Sequence, residues 1–447
     1  MIKIFIVIFL LLPISIEENA FVDESFFKYM TSKTDYNLIA NKKNFQDYSI
    51  SECKTIGFWH LIRYSANYPN FEEISEMNEF LPKLRDTIIL LNQSILNESE
   101  LKFLNKWTPR VSPEMENLLT DYGSETIKSL GLRTWVRLKY LIFNTRISKQ
   151  VKIRSTNFTR TIESAQKYVE GFFHFWPLKI NIESSDIEND YLIKYPDLCE
   201  KYLTYINSNQ NACSELLYFD FMSSKLRNSK RRFQDRLGVN SFYTNINIAF
   251  EMAFKMCQYE YLIDKTISIW CKFFDLETIK LLEYKDDLKN NCKYGYKYEI
   301  SRLMTCDLVK NLLESLKTFK RSYETNDDTL NKFTAYFTHS STLMSFLSSM
   351  GIGKSEDNFD YENILSENIN REFKTSSINP TSSNIGFLLF KCDENSKKPN
   401  YLLRVFHNER LVKIDGCQST DCNLNEFLNY LTFFTSTCKS TKESCKI

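Results

Sequence analysis

Glycine is in short supply: the chain has 10 in 447 residues, about 2% where about 7% is usual. That excludes collagen-like and Gly/Ser-linker architectures, and leaves few positions where the backbone can take positive φ or approach a ligand closely. Histidine is rarer still, at 4, and none of the 12 cysteines stands in a C-x-x-C unit, which argues against a zinc framework. Charge of one sign is also lacking. Lys plus Arg is 57 against 56 for Asp plus Glu, a net +1, so no bulk field marks a nucleic-acid binder or a polybasic membrane protein. Beyond the first residues no stretch reaches eighteen apolar positions, and no stable membrane span is expected.

What is present begins with an apparatus for export. Met1 to about Ala20 reads as a secretory signal, with Lys3, an apolar run from Ile4 to Leu12, then Pro13, Ser15, Glu17 and Glu18. The run is too short to cross a bilayer comfortably. An even cysteine count on that route reads as disulfides, and the mature chain is expected to be secreted. Sequons at Asn92, Asn97 and Asn157 offer glycosylation sites, whereas Asn379-Pro380-Thr381 is excluded by its proline.

Three segments share one pattern: a strand, a turn with a basic residue, and a helix. In the first, Thr55 to Ile62 is an apolar run ending at Arg63 and breaking over Asn67, Pro69 and Asn70. In the second, Val151-Lys152-Ile153 ends at Arg154, and Ile162, Ala165, Tyr168, Val169 and Phe172 recur at helical spacing. In the third, Ala335 to Thr338 ends at His339. Ser340 or Ser341 is placed there to cap a helix carrying Leu343, Met344, Phe346, Leu347 and Met350, stopped by Gly351. The alternation predicts an α/β fold, in which ligands bind outside the carboxyl ends of the strands, where helix N-termini present free N–H groups. Convergence of Arg63, Arg154 and His339 would make an anion site; taken singly, each reads more simply as a solvent-facing or ion-paired strand end.

From about Pro177 to Leu330 the pattern is mostly helical, including Asn245 to Tyr259 and Asp307 to Lys320, and predicts an inserted helical domain. Its basic cluster, Lys225, Arg227, Lys230, Arg231, Arg232 and Arg236, reads first as a solvated helix face and second as a polyanion-contacting face over the anion site.

Several segments then fall into a known order. Arg63-Tyr64-Ser65-Ala66-Asn67-Tyr68-Pro69 lies where one family has Arg-His-Gly-x-Arg-x-Pro. Arg154-Ser155-Thr156, with Arg160 to Ala165 behind it, is similar to that family's second phosphate-binding arginine segment. Trp270-Cys271, Leu282-Glu283-Tyr284, Asp286-Asp287-Leu288 and Gly295-Tyr296 look like a helical-domain signature, and Phe337 to Leu343 sits at a His-Ala-Glu segment. Asn379 to Asn384, Cys392, Asn408-Glu409-Arg410 and Gly416 to Cys422 resemble its ending. The chain thus resembles the histidine acid phosphatases, in the clade of multiple inositol polyphosphate phosphatases and phytases. The resemblance implies a mixed sheet flanked by helices over 45–176 and 331–430, a mainly helical cap at 177–330 and a tail at 431–447. It also implies disulfides Cys53–Cys392 and Cys417–Cys422, leaving the other cysteines unconnected. The partner it implies is a phosphorylated small molecule such as an inositol polyphosphate, with no cofactor and no metal. Nothing names a protein partner.

In that family a histidine attacks phosphorus, arginines hold the phosphoryl oxygens and an acidic residue protonates the leaving oxygen. Arg63, Arg154 and His339 carry over as phosphate-binding positions. The nucleophile position, however, holds Tyr64, the adjoining glycine is Ser65, the second arginine is Asn67 and the proton donor is Ser341. Losing the nucleophile of a coupled site can cost on the order of 10⁶ in kcat, and losing the general acid about 10²–10⁴, in overlapping rather than multiplying factors. His60 cannot substitute, being roughly 13 Å upstream of Tyr64 along a strand, and a Ser341–His339 pair lacks an orienting acid. The expectation is a secreted, catalytically impaired relative that retains phosphate-ester binding, strengthened in mild acid as His339 charges below about 6.5. Competing readings are an active phosphomonoesterase using Tyr64 as nucleophile, and a secreted interaction protein with a vestigial pocket.

Overall fold

The computed structural model describes residues 24–142, 150–175, 180–209, 212–213, 215–239, 244–354, 371–395 and 397–447; the expected leader lies outside them. One mixed sheet organises the chain. Its strands are β1 (Cys53–Arg63), β2 (Val151–Ser155), β3 (Ile182–Glu183), β4 (Phe333–Thr338), β5 (Asn384–Cys392), β6 (Tyr401–His407), β7 (Arg410–Val412) and β8 (Cys422–Asn423). They lie in the order β3-β2-β4-β1-β5-β6-β7, with β8 beside β6. The strands expected from sequence are the parallel neighbours β2, β4 and β1, and their carboxyl ends share one sheet edge: Arg63 is in register with Thr338, and Ser155 with Phe337. β5 runs antiparallel to β1. β1 is buried from Ile56 to Arg63, and covering of both faces is why it reads as a continuous apolar run rather than an alternation.

On one face Trp59, Leu61, Tyr336 and Phe387 pack beneath helices Cys306–Glu324, Ser340–Ser349 and Leu424–Ser436. On the other, Phe58, Ile62 and Phe337 meet helices Asp121–Ile142 and Thr159–Phe172. Those two helices touch backbone to backbone. A Cβ on Gly131 would stand 2.1 Å from the Tyr168 carbonyl oxygen, and one on Gly171 1.9 Å from that of Lys128, so the scarce glycines serve close approach here.

A separate helical layer gathers Phe27, Ile74, Leu84, Trp107, Phe250 and Trp270. Its composition redraws the expected division. Helix Phe71–Leu91, within the 45–176 stretch, turns its apolar stripe to helix Ile246–Asp264 in the cap. Helix Cys306–Glu324, from the 177–330 stretch, turns its stripe to the sheet instead. Within the basic cluster, Arg232 pairs with Asp275 at 2.8 Å, and Arg236 donates to the carbonyls of Lys272 and Phe274 at 3.3 Å. Both are thereby committed to the cap's own surface.

All twelve cysteines are paired. Cys53–Cys392 and Cys417–Cys422 match the resemblance, and Cys199–Cys445, Cys213–Cys292, Cys257–Cys271 and Cys306–Cys438 complete the set. Two of these fasten the 431–447 segment, which buries Leu431, Cys438, Thr441 and Cys445 and is no loose tail. No described helix is long and apolar enough to cross a membrane.

Candidate active site

At the shared strand edge, Tyr64 follows β1 with its amide donating to the Thr338 carbonyl at the end of β4 (3.0 Å). Arg63 is buried, and its Nη1 donates to the carbonyl oxygens of Ser32, Asn379 and Pro380 at 2.8, 2.6 and 3.1 Å. Its Nε is buried without a partner, as is the Nε of Arg160, the second residue of helix Thr159–Phe172. Both guanidinium groups stack on the Tyr64 ring, at 5.2 Å for Arg63 and 4.9 Å for Arg160. His339 meets the same ring edge to face, with centroids 5.6 Å apart.

His339, rather than Ser340 or Ser341, occupies the N-cap of helix Ser340–Ser349, without a side-chain capping bond. Its imidazole is engaged elsewhere. Nδ1 lies 3.4 Å from Arg160 Nη2 and Nε2 lies 3.1 Å from Thr156 Oγ1. A guanidinium only donates, so Nδ1 accepts and Nε2 carries the proton towards Thr156.

The electrostatics follow from this crowding. Burial pushes the Tyr64 phenol up, but Arg63, Lys33 and Arg160 outweigh it and bring it down to about 8. Burial, with Lys194, Arg160 and Arg63 alongside, holds His339 well below its ordinary value. Charging of His339 is thereby disfavoured, which runs against the expected strengthening below about 6.5.

Of the three strand-end residues, Arg63 and His339 both lie against the Tyr64 ring, whereas Arg154 is engaged elsewhere. The Arg154 guanidinium donates to Ser185 Oγ at 2.6 Å and pairs with the buried Asp190 at 2.7 Å. Arg160 stands beside Tyr64 and His339 instead, because the first turn of the following helix reaches over the strand edge while Arg154 is held within β2. Asn67 is buried, and its Nδ2 donates to the Tyr68 carbonyl at 2.6 Å. Ser65 is sealed beneath the site, its Oγ donating to the Gly123 carbonyl and accepting from Ser382 Oγ, each at 2.7 Å. Ser341 lies in the first turn of its helix. His60 is buried between Tyr168 and Asn384 at 3.2 and 3.0 Å, and burial lowers it to about 4; its role is internal.

The floor of the site is clamped to the cap. Arg371 Nε pairs with Asp287 at 2.7 Å and its Nη2 with Glu283 at 2.8 Å, both on cap helix Leu276–Tyr294. The Thr375 amide donates to Asp287 at 2.7 Å, just ahead of the Asn379-Pro380 turn that holds Arg63. Burial pushes Asp287 up to about 7 against the pull of Arg371, and Glu283 adds to the rise.

This chain has a family match. The histidine phosphatase superfamily (branch 2) matches residues 40–408. The chain belongs to that family. Among curated relatives it is similar to multiple inositol polyphosphate phosphatase 1 of Homo sapiens, at 25% identity over 88% of this chain and 82% of that protein. The Drosophila melanogaster protein of the same name is 25% identical over 92% of this chain and 86% of its own length. Among solved structures, the phytase from D. castellii shares the fold with a TM-score of 0.74 at 17% identity, covering 94% of this chain and 87% of that one. The Bifidobacterium longum multiple inositol polyphosphate phosphatase, solved with inositol hexasulfate, has a TM-score of 0.59 at 13% identity over 88% and 95% of the two chains.

Two site residues escaped the strand-end argument. Arg160 left a trace: a cation in the first turn of a helix opposes the helix dipole, and such a placement is explained by an anion at that terminus. Lys33 left none, since it lies thirty residues ahead of β1's end in a segment without periodicity.

Proposed function

We propose that this histidine phosphatase-fold protein binds phosphate esters at the Arg63–Arg160 strand edge and has lost the family's phosphohistidine chemistry. The observation that carries this is the placement of Tyr64, which fills the nucleophile position as a phenol among Arg63, Arg160 and Lys33. An oxygen nucleophile there cannot form a phosphohistidine, and Ser341 supplies no proton to a leaving alkoxide near neutral pH. The buried, unpartnered Nε groups of Arg63 and Arg160 remain as donors for phosphoryl oxygens. The ligand class is an inositol polyphosphate or similar ester, as the relatives' names suggest. Six disulfides fit an oxidising compartment. Asn92, Asn97 and Asn157 are exposed, as glycan acceptors on the secretory route require.

The lowered phenol value also favours a second reading, in which Tyr64 attacks phosphorus and the chain is an active phosphomonoesterase. Phosphate release from inositol hexakisphosphate, with calorimetry on the same ligand, separates the two. Binding without turnover, and turnover gained on combining Tyr64→His, Ser65→Gly, Asn67→Arg and Ser341→Glu, supports the first. Wild-type turnover abolished by Tyr64→Phe establishes the second.

A further inference from the structure

The segment ahead of the family match threads through the site. Phe26–Tyr29 and Thr31–Lys33 are short 3-10 helices. Phe27 stacks on Tyr261 of the cap with centroids 3.7 Å apart, and Gln258 Nε2 donates to the Met30 carbonyl at 3.1 Å. The Ser32 carbonyl accepts from Arg63 at 2.8 Å, the Thr34 carbonyl accepts from the Thr381 amide at 3.0 Å, and the Tyr36 hydroxyl donates to Glu409 at 2.7 Å. The strap is thus sewn to the cap on one side and to the floor of the site on the other.

This fixes Lys33. Its ammonium group lies 4.6 Å from the centre of the Tyr259 ring, and Tyr259 donates to Glu73 at 2.8 Å. Among the described residues no carboxylate comes within ion-pair distance of Lys33; Glu73 itself pairs with Lys255 at 3.5 Å. Burial lowers Lys33, Arg63 and Arg160 lower it further, and Tyr64 and Glu73 oppose them. Collecting like charges in a buried site is unfavourable unless an anion joins them. The family's second arginine is meanwhile missing, and Asn67 is spent on a backbone bond.

We infer that Lys33 is a phosphoryl-binding residue of this site, supplying from the N-terminal strap the cation that Asn67 does not. This rests on the proposal that the strand edge binds phosphate esters. An ammonium group forms charge-assisted bonds to phosphate as a point charge, so the strap joins cap and core around the ligand.

Calorimetry at low salt with inositol hexakisphosphate and with inorganic phosphate tests it. Lys33→Met should weaken binding of both by about tenfold or more, the equivalent of about 1.4 kcal/mol, and Lys33→Arg should restore most of it. Unchanged affinity in Lys33→Met overturns this inference and leaves the binding site standing; no binding by the wild type of either probe overturns both. Should Lys33→Met fail to fold, acylation of the wild type decides. Inositol hexakisphosphate should shield Lys33 from an anhydride reagent, read by peptide mass spectrometry, and equal labelling with and without ligand refutes the role.

Discussion

Removing the Tyr64 hydroxyl should change how ligand binding responds to alkali. The phenol ionises at about 8 because three cations surround it, so above that pH the site holds an internal phenolate where a ligand anion must go. If the ligand binds only the neutral phenol, the apparent dissociation constant is multiplied by one plus the ratio of phenolate to phenol. With a value of about 8, that factor is about 1.1 at pH 7, about 2 at pH 8 and about 11 at pH 9. Tyr64→Phe lacks the competitor. The ratio of wild-type to Tyr64→Phe dissociation constants should therefore rise about tenfold from pH 7 to pH 9, near 1.4 kcal/mol. Calorimetry with an inositol sulfate ester, whose charge does not change as a phosphate's does near pH 6, keeps the ligand constant. A difference spectrum at pH 9 should show one extra tyrosinate in the wild type. Parallel affinity profiles for the two proteins would refute the reasoning.

Acid should do little. With burial and its cationic neighbours opposing the charging of His339, sulfate-ester affinity should stay within about twofold from pH 7 to pH 5, and a steep rise would mean that His339 charges there after all. Asp287 has a folded-state value above its unfolded one, so its contribution to stability is complete below the ordinary carboxylate value and is lost as pH rises towards about 7. Urea unfolding should show the wild type on the order of 1–2 kcal/mol more stable at pH 5.5 than at pH 7.5 from this group, a difference that Asp287→Asn should remove. Gly171→Ala drives a methyl into the Lys128 carbonyl and should cost about 3 kcal/mol of stability in the same assay; a loss under about 0.5 kcal/mol would show that the two helices can separate freely.

The sequence disclosed the strands and not their side chains' destinations. Apolar runs and breakers located β1, β2 and β4, whose parallel register then brought Arg63 and His339 to one edge. Strand-end position alone could not choose between Arg154 and Arg160. Asp190, which captures Arg154, comes from a different segment, and Arg160 is presented by a helical turn. The charge state of His339 is not legible in the sequence, because its surroundings include Phe158, Thr156 and Lys194, none of them near it in the chain. The helices Ile246–Asp264 and Cys306–Glu324 were visible in their periodicity, but a stripe does not say which surface covers it. One of them turned to the cap core and the other to the sheet.

The central strand has a consequence for how the protein is made. β1 is synthesised early, yet its hydrogen-bonding neighbours are β4 and β5, and the disulfide from Cys53 closes a span of 339 residues. At about 5–20 residues per second, the ribosome delivers Cys392 roughly 17 to 70 seconds after Cys53. Through that interval the buried, largely apolar stretch of β1 has no partner, and its thiol coexists with those of the helical layer, where Cys257–Cys271 can close at once across 14 residues. Short-range closure in the helical layer and long-range pairing at β1 favour the helical layer forming before the sheet. The nascent chain is most exposed to mispairing at Cys53, so yield during oxidative folding should depend on disulfide isomerisation at that cysteine more than at the others.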